Sequence, residues 1–196
     1  SLTIGMFDPP DFFPPDGFGG EMARRLYGAR TVVAGGVLDD ALAGRLTGEL
    51  LALANESDDD VRVLCSLQGD RLEPAFALCD LVQTLPPRAR LIGAGGVAGA
   101  GVVVFCAADY ENRTCLPMAR FHLHDFRAEA WGPAGRVEAD AEAAAQQFER
   151  ARDLIAHATD LPPARVEEDL RRGLWLDARE AERYGLVSRL TMRGEL

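Results

Sequence analysis

Residues 91–108 read LIGAGGVAGAGVVVFCAA and hold the strongest local signal in the chain. Apolar residues stand on both sides of a glycine-rich run, which is typical of a β-strand that turns tightly into a buried α-helix. Gly93, Gly95 and Ala98 also satisfy G-x-G-x-x-A, a pattern that binds dinucleotide phosphates when it follows a strand, and Asp109 lies near the spacing of a ribose-binding acid. That pattern normally occupies the first strand–helix unit of a chain, and here two units precede it. The nucleotide interpretation is therefore disfavoured.

The chain around this run alternates apolar strand patterns with amphipathic helix patterns. Alternation of this kind predicts an α/β protein with helices layered on a mostly parallel sheet. Residues 1–23 contain many prolines and phenylalanines, so we expect an arm or loop there and a single domain over residues 24–196. The predicted strands cover 30–37, 61–67, 89–96, 113–119, 120–126 and 186–192, and the predicted helices cover 41–56, 73–85, 97–108, 136–159, 162–173 and 177–185.

Composition restricts the classes of function. The chain has 196 residues, with 31 acidic against 21 basic side chains and a formal net charge of -10. This balance argues against nucleic acid or an anionic membrane surface as a partner. All the basic residues are arginine, which excludes Schiff-base and other lysine chemistry. No apolar stretch is long enough to cross a membrane, so we expect a cytoplasmic protein.

The four cysteines stand singly within apolar runs without C-x-x-C spacing. This placement predicts buried free thiols and indicates neither disulfides nor a zinc site. We predict no metal and no cofactor. The cysteines are Cys65, Cys79, Cys106 and Cys115.

Several segments together resemble ClpP, the proteolytic subunit of the Clp protease, over about residues 24–190. The matching words are RLYGARTVVAGGVLDD, SLQGDRLEPAFALCD, AGAGVVVFCAA, CLPMARFHLHD and WLDAREAERYGLVSRL. The resemblance implies a ClpP/crotonase-like α/β fold with a handle helix and a handle strand for ring assembly. It also implies that seven subunits form a ring, and that two rings enclose a chamber served by an ATP-driven unfoldase.

The resemblance also assigns the family's catalytic positions. The base falls on His124, but the serine nucleophile falls on Gly99 and the orienting aspartate falls on Gly173. Loss of the nucleophile alone removes about six orders of magnitude in rate, so the resemblance implies that serine peptidase activity is absent. In the oxyanion turn, Gly69 is retained and Asp70 replaces the second glycine, which puts a carboxylate where negative charge would develop.

The rest of this pocket has more than one interpretation. His122 and His124 alternate on a predicted strand, so their side chains share one face while Asp125 takes the other. The pair could ligate a metal, serve as packed structural groups, or leave His124 as an acid/base. Asp70 and Arg71 are either a surface ion pair in a turn or a polar lining of the old substrate cleft. The positions expected to line the pocket are Gly69, Asp70, Arg71, Ala100, His122 and Asp125.

Assembly positions are also ambiguous. Arg172 matches an arginine that joins the two rings in the family, although an arginine at a helix end is also an ordinary cap. The link at 128–135 falls on the family's handle strand, where Trp131 and Pro133 put that role in doubt.

Two functions follow from these positions. The first is a non-proteolytic ClpP-like subunit that forms a ring alone or with active ClpP paralogues, served by a Clp unfoldase. The alternative is a repurposed dehydratase or hydro-lyase in which His124 moves protons on a small acyl or peptidyl ligand.

Overall fold

An eight-stranded sheet organises the chain, and helices cover it. The structure, a computed structural model, describes residues 18–128 and 132–195. The strands are β1 (Thr31–Val37), β2 (Val61–Gly69), β3 (Ala89–Gly93), β4 (Gly96–Gly99), β5 (Arg113–Cys115), β6 (Arg120–Leu123), β7 (Leu174–Asp177) and β8 (Arg189–Leu190). The helices are α1 (Phe18–Gly28), α2 (Asp40–Glu56), α3 (Glu73–Thr84), α4 (Ala100–Phe105), α5 (Ala134–Thr159), α6 (Pro163–Arg172) and α7 (Ala178–Tyr184), with a short 3-10 turn at Tyr110–Asn112.

Strand β2 is the centre of the sheet. It pairs with β1 along one edge, and on the other edge its first half pairs with β3 while its end pairs with β4. Two arms therefore diverge from β2: β3 leads to β5 and β8, and β4 leads to β6 and β7. Every pairing is parallel except that of β6 with β7. The predicted α/β class with a mostly parallel sheet is confirmed.

Local signals explain where the helices begin and which face they bury. The Asp39 carboxylate accepts a hydrogen bond from the Leu42 N–H at 2.8 Å, which starts α2. Asp177 starts α7 in the same way and forms a reciprocal capping box with Glu180. Helix α2 then buries leucines at helical spacing, among them Leu46, against the sheet.

The core lies between the sheet and helices α2 to α5. Helix α4 is buried at every position, and the Phe105 ring meets the Phe121 ring edge-on at 5.2 Å between centroids. Gly101 lies so close to the backbone of Leu67 that a Cβ would overlap it, which lets α4 pack directly on β2. The four cysteines are buried and unpaired as predicted, and burial raises the pKa of the Cys65 thiol to about 12.

The structure differs from the sequence predictions in three places. The glycine-rich run does not pass directly from β3 into a helix, because the chain turns at Ala94 and Gly95 and forms the extra strand β4 before α4. Residues 174–176, for which no element was predicted, form β7 together with Asp177, which was predicted as the first residue of a helix. The predicted closing strand over 186–192 is only Arg189–Leu190.

Most of the predicted arm and part of the predicted handle strand fall on residues that the structure does not describe. Helix α1 begins at Phe18, so residues 18–23, predicted as arm, are helical, and the predicted boundary at residue 24 falls within that helix. Residues 1–17 of the predicted arm lie outside the described residues, as do 129–131 of the predicted handle strand. Within the described ranges, no helix is both long and apolar enough to span a bilayer.

Candidate active site

The centre of the candidate site is the turn from β4 into α4. Gly99 ends β4 and adopts φ 54° and ψ -117°, a backbone conformation that is strained for residues with a side chain. A strand-to-helix turn of this shape is the kind that lifts a nucleophile above a sheet in hydrolases. Here the turn presents only backbone, because residue 99 is glycine.

His124 lies directly against this turn. An ideal Cβ built on Gly99 would be 2.7 Å from Nε2 of His124 and 2.5 Å from Cε1. On the other side of the ring, Nδ1 is 2.9 Å from the backbone oxygen of Asp125. Because a carbonyl oxygen only accepts hydrogen bonds, the neutral ring carries its proton on Nδ1 and directs the Nε2 lone pair toward residue 99. A backbone carbonyl therefore orients His124.

Asp70 supplies a carboxylate beside the imidazole. Its Oδ1 is 3.8 Å from Nε2 of His124, and its Oδ2 is 3.3 Å from Nε of Arg127. The N–H of Arg127 also donates to the Asp70 carbonyl at 2.9 Å, which holds the two segments together. Arg71 instead reaches Asp40 at 3.0 Å and Glu73 at 3.7 Å. The Asp70 carboxylate therefore lies beside His124, while Arg71 turns to other carboxylates.

Oxygen atoms that accept hydrogen bonds lie close to Gly99. The carbonyl oxygen of Gly69 overlaps the position where a Cβ of residue 99 would stand. The Asp70 carboxylate adds a second acceptor group, with Oδ1 3.8 Å from Nε2 of His124. Both groups accept hydrogen bonds, whereas stabilisation of an acyl-transfer oxyanion requires donors, each worth about 3 kcal/mol.

His122 and Trp175 form a stack at the edge of the site. The two rings lie 4.0 Å apart between centroids and nearly parallel, with Arg120 placed 4.8 Å from the Trp175 ring centroid. The His122 and His124 rings are 4.7 Å apart, on one face as the strand alternation predicts. Burial, and secondarily the neighbouring His124, lower the pKa of His122, which favours the neutral form of this ring.

Gly173 lies next to His122 and not next to His124. A Cβ at this position would be 3.5 Å from Nε2 of His122, and its φ of 68° favours glycine. His122 therefore stands between the position expected for an orienting acid and the base. Within the described residues there is no cluster of three or more metal-ligating side chains around the histidines or elsewhere.

A cleft of about 720 Å³ opens beside Asp70. One wall is the turn after β2 with Asp70 and Arg71, the second is the segment at Arg127, and the third is α5 at Asp140 and Gln147. Of the residues predicted to line the pocket, Gly69, Asp70 and His122 surround His124 and Gly99. Ala100 is buried at the start of α4, while the Asp125 side chain points to solvent.

Arg172 takes part in a buried charge cluster. Its Nη2 is 2.7 Å from Oδ1 of Asp169, a fully buried carboxylate whose Oδ2 accepts hydrogen bonds from Arg165 and Tyr184, each at 2.9 Å. The Arg172 side chain keeps 47 % of its surface exposed. The Arg172 side chain is therefore held in place by Asp169 and still has accessible surface.

Comparison with known proteins places the chain in a family. The sequence profile of the Clp protease matches residues 19–193. The chain belongs to the Clp protease family. It is 36 % identical over 172 residues to ATP-dependent Clp protease proteolytic subunit 3 of Rhizobium etli, covering 88 % of this chain and 89 % of that protein.

Further relatives match this chain over a similar length. The chain is 33 % identical to proteolytic subunit 2 of Pseudomonas aeruginosa, over 88 % of this chain and 86 % of that one. An asparagine-to-aspartate mutant of ClpP1 from Listeria monocytogenes matches in three dimensions with a TM-score of 0.79 and 30 % identity, over 89 % of this chain and 98 % of that one. The chain therefore has the Clp protease fold nearly from end to end.

Sequence reasoning missed three residues of the site. Arg127 and Trp175 reach it through pairings that no local pattern reveals, namely the Arg127–Asp70 backbone bond and the register of His122 opposite Trp175. Arg120 follows from the same register. The tryptophan in the word L-W-L-D was the one signal in the sequence that could have indicated them.

Proposed function

We propose that this member of the Clp protease family does not hydrolyse peptides and serves as a structural or regulatory subunit of a Clp ring. The observation that supports the proposal most is glycine at residue 99, where the strand-to-helix turn meets the base His124. Without a hydroxyl or thiol at this turn there is no group to form an acyl-enzyme.

Two features near Gly99 strengthen the proposal. The space in which a nucleophile's Cβ would lie is shared by the His124 ring and the Gly69 carbonyl oxygen. The carboxylate of Asp70 adds negative charge where an oxyanion would need donors. In this proposal the site lacks a nucleophile, lacks room for a side chain at residue 99, and has a carboxylate near the place where an oxyanion would need donors.

The partners we propose are other copies of this chain, active ClpP paralogues in the same heptameric or double ring, and an ATP-driven Clp unfoldase, in the cytoplasm. Helix α5 occupies the place of the handle helix, and the exposed end of Arg172 is available for a contact between rings. A ring subunit needs only these surfaces and its fold, both of which tolerate the loss of the catalytic serine.

The test is a fluorogenic-peptide hydrolysis assay on the isolated protein, on an active paralogue, and on the two together. We expect no turnover from this chain alone and a changed rate per active subunit in the mixture. Peptide turnover by the isolated protein that His124→Ala abolishes would contradict the proposal.

A second candidate function is supported by the pairing of His124 with Asp70. An imidazole with Nδ1 anchored and Nε2 free, 3.8 Å from a carboxylate, is arranged for general acid–base chemistry. The reaction would be a dehydratase or hydro-lyase step on a small acyl or peptidyl ligand in the adjoining cleft. His124→Ala separates the two candidates, because it abolishes such catalysis and leaves ring assembly intact. His157→Ala, at an exposed histidine on α5, is the matched control.

A further inference from the structure

Three groups that offer electron pairs converge on the space beside Gly99. The neutral ring of His124 directs the lone pair of Nε2 toward residue 99, and Nε2 is 3.8 Å from Oδ1 of Asp70. The backbone oxygen of Gly69 borders the same space, because a Cβ on Gly99 would overlap this oxygen and would lie 2.7 Å from Nε2 of His124. An imidazole lone pair, a carboxylate and a carbonyl all accept and do not donate. The space therefore favours a group that takes electron pairs.

The spacing of these groups suits the ligands of one metal ion. Two ligand atoms that are each about 2.1 Å from Zn²⁺ and form a tetrahedral angle lie about 3.4 Å apart. The 3.8 Å between Nε2 of His124 and Oδ1 of Asp70 reaches this separation with a small movement of either side chain. A mixed set of imidazole, carboxylate and carbonyl suits Zn²⁺ and neighbouring transition metals better than Mg²⁺ or Ca²⁺, which prefer oxygen alone.

The hydrogen bonds of the two side chains match those of metal ligands. A ligating histidine almost always donates its second ring N–H to a carbonyl or a carboxylate, and Nδ1 of His124 is 2.9 Å from the backbone oxygen of Asp125. Oδ2 of Asp70 is 3.3 Å from Nε of Arg127, which leaves Oδ1 on the side of His124. The side chain of Arg127 is 82 % exposed, so water screens its charge. Both ligating side chains are therefore oriented in the protein itself.

The space beside Gly99 is open to solvent. The side chains of His124 and Asp70 are 24 % and 40 % exposed, and the cleft of about 720 Å³ opens beside Asp70. A hydrated ion can enter through this cleft, and water can complete its coordination. Glycine at residue 99 leaves the necessary room, because any side chain there would begin where the Gly69 oxygen and the His124 ring meet.

We propose that Zn²⁺, or a transition-metal ion of similar chemistry, binds beside Gly99 through Nε2 of His124, Oδ1 of Asp70 and the backbone oxygen of Gly69, with water in the remaining position. Two side chains and one carbonyl form this site, which agrees with the absence of a cluster of three ligating side chains in residues 18–128 and 132–195. The sequence predicted no metal, because no local pattern shows that Asp70 reaches His124 from a separate strand. The site does not depend on the proposed ring function.

Isothermal titration calorimetry of the full chain with zinc chloride tests the site, at neutral pH and after dialysis against a chelator. We expect saturable binding of one equivalent of Zn²⁺ and no binding of Mg²⁺ at the same concentration. Absence of saturable Zn²⁺ binding to the wild type would overturn the proposal.

Three variants locate the ion. His124→Gln and Asp70→Asn each remove one ligand and should raise the dissociation constant at least about tenfold. Gly99→Ala keeps both side chains but places a methyl group in the space, so it should weaken binding as well. His157→Gln, at an exposed histidine on α5, is the matched control and should bind like the wild type.

The variants also decide against the site if the ion binds elsewhere. Asp70→Asn changes a half-exposed side chain and decides the matter if Gly99→Ala does not fold. Equal dissociation constants for Asp70→Asn, His124→Gln and His157→Gln would overturn the proposal, as would loss of binding in His157→Gln.

Discussion

A serine introduced at residue 99 should not create a peptidase. Gly99→Ser supplies a hydroxyl at this turn, but its Cβ would be 2.5 Å from Cε1 of His124 and would overlap the carbonyl oxygen of Gly69. The new side chain must therefore displace the base with which it would have to cooperate. We expect the variant to be folded, destabilised and inactive.

Two energetic costs set the size of the stability loss expected for Gly99→Ser. A non-glycine residue at φ 54° and ψ -117° pays about 1–3 kcal/mol in backbone strain. Overpacking against His124 and Gly69 adds about 1–3 kcal/mol. The expected loss in the free energy of unfolding is thus roughly 2–6 kcal/mol, which a domain stable by about 5–15 kcal/mol tolerates at the lower end.

Urea denaturation measures the loss, and labelling with a fluorophosphonate probe measures serine nucleophilicity. Gly99→Ala is the matched control, because it adds the same Cβ without the hydroxyl and should lose nearly the same stability. Adding His124→Ala to Gly99→Ala should recover the part of the cost that arises from the ring, a coupling of about 0.5–3 kcal/mol in a double-mutant cycle. The part due to the Gly69 carbonyl should remain.

Two results would refute this reasoning. A loss below about 0.5 kcal/mol, the range of ordinary surface substitutions, would show that the turn has room for a side chain. Probe labelling of Gly99→Ser that depends on His124 would show that glycine is the sole defect of the site.

Three further outcomes are expected. Because the pKa of His122 is lowered in the folded state, the unfolded chain binds more protons below about pH 6.5, so the free energy of unfolding should fall as the pH drops through that range. Urea titrations at several pH values should show that this pH dependence is weaker in His122→Gln. An unchanged pH dependence would exclude His122 as its source. Asp169→Ala should cost about 1.5–3 kcal/mol in a urea titration, because it removes the acceptor that Arg165, Arg172 and the Tyr184 hydroxyl share, whereas Tyr184→Phe should cost about 0.5–1.5 kcal/mol. Equal losses would argue against a charge cluster centred on Asp169. The folded protein should not react with a thiol reagent until it unfolds, because burial raises the pKa of Cys65 to about 12 and the pKa of Cys106 to about 11. Rapid modification of cysteines in the folded protein would contradict this burial.

The fold was accessible from sequence where periodicity is strong. Helices α2 and α3 and strand β1 lie within one residue of their predicted bounds, because amphipathic spacing and caps such as Asp39 act locally. Strands β4 and β7 escaped prediction because each has only four residues, and pairing partners decide their conformation. The divergence of the sheet at β2 into the arms that begin with β3 and β4 depends on such pairings, so no short stretch of sequence indicates it.

The candidate site was accessible only through the family resemblance. That resemblance selected Gly99 and His124, which the structure brings into contact. It did not foresee that His122 would lie beside Gly173, or that Asp70 would pair with Arg127 at a separation of 57 residues in sequence.

The proposed role as a Clp ring subunit that does not cleave peptides is tested most directly by native mass spectrometry. The protein is measured alone and after mixing with a catalytically active Clp proteolytic subunit from the same source. We expect a ring-sized particle of this chain or mixed particles that contain both chains, with no phosphonyl adduct on this chain after incubation with a fluorophosphonate. A monomer that remains separate from the active subunit, or an adduct on this chain, would contradict it.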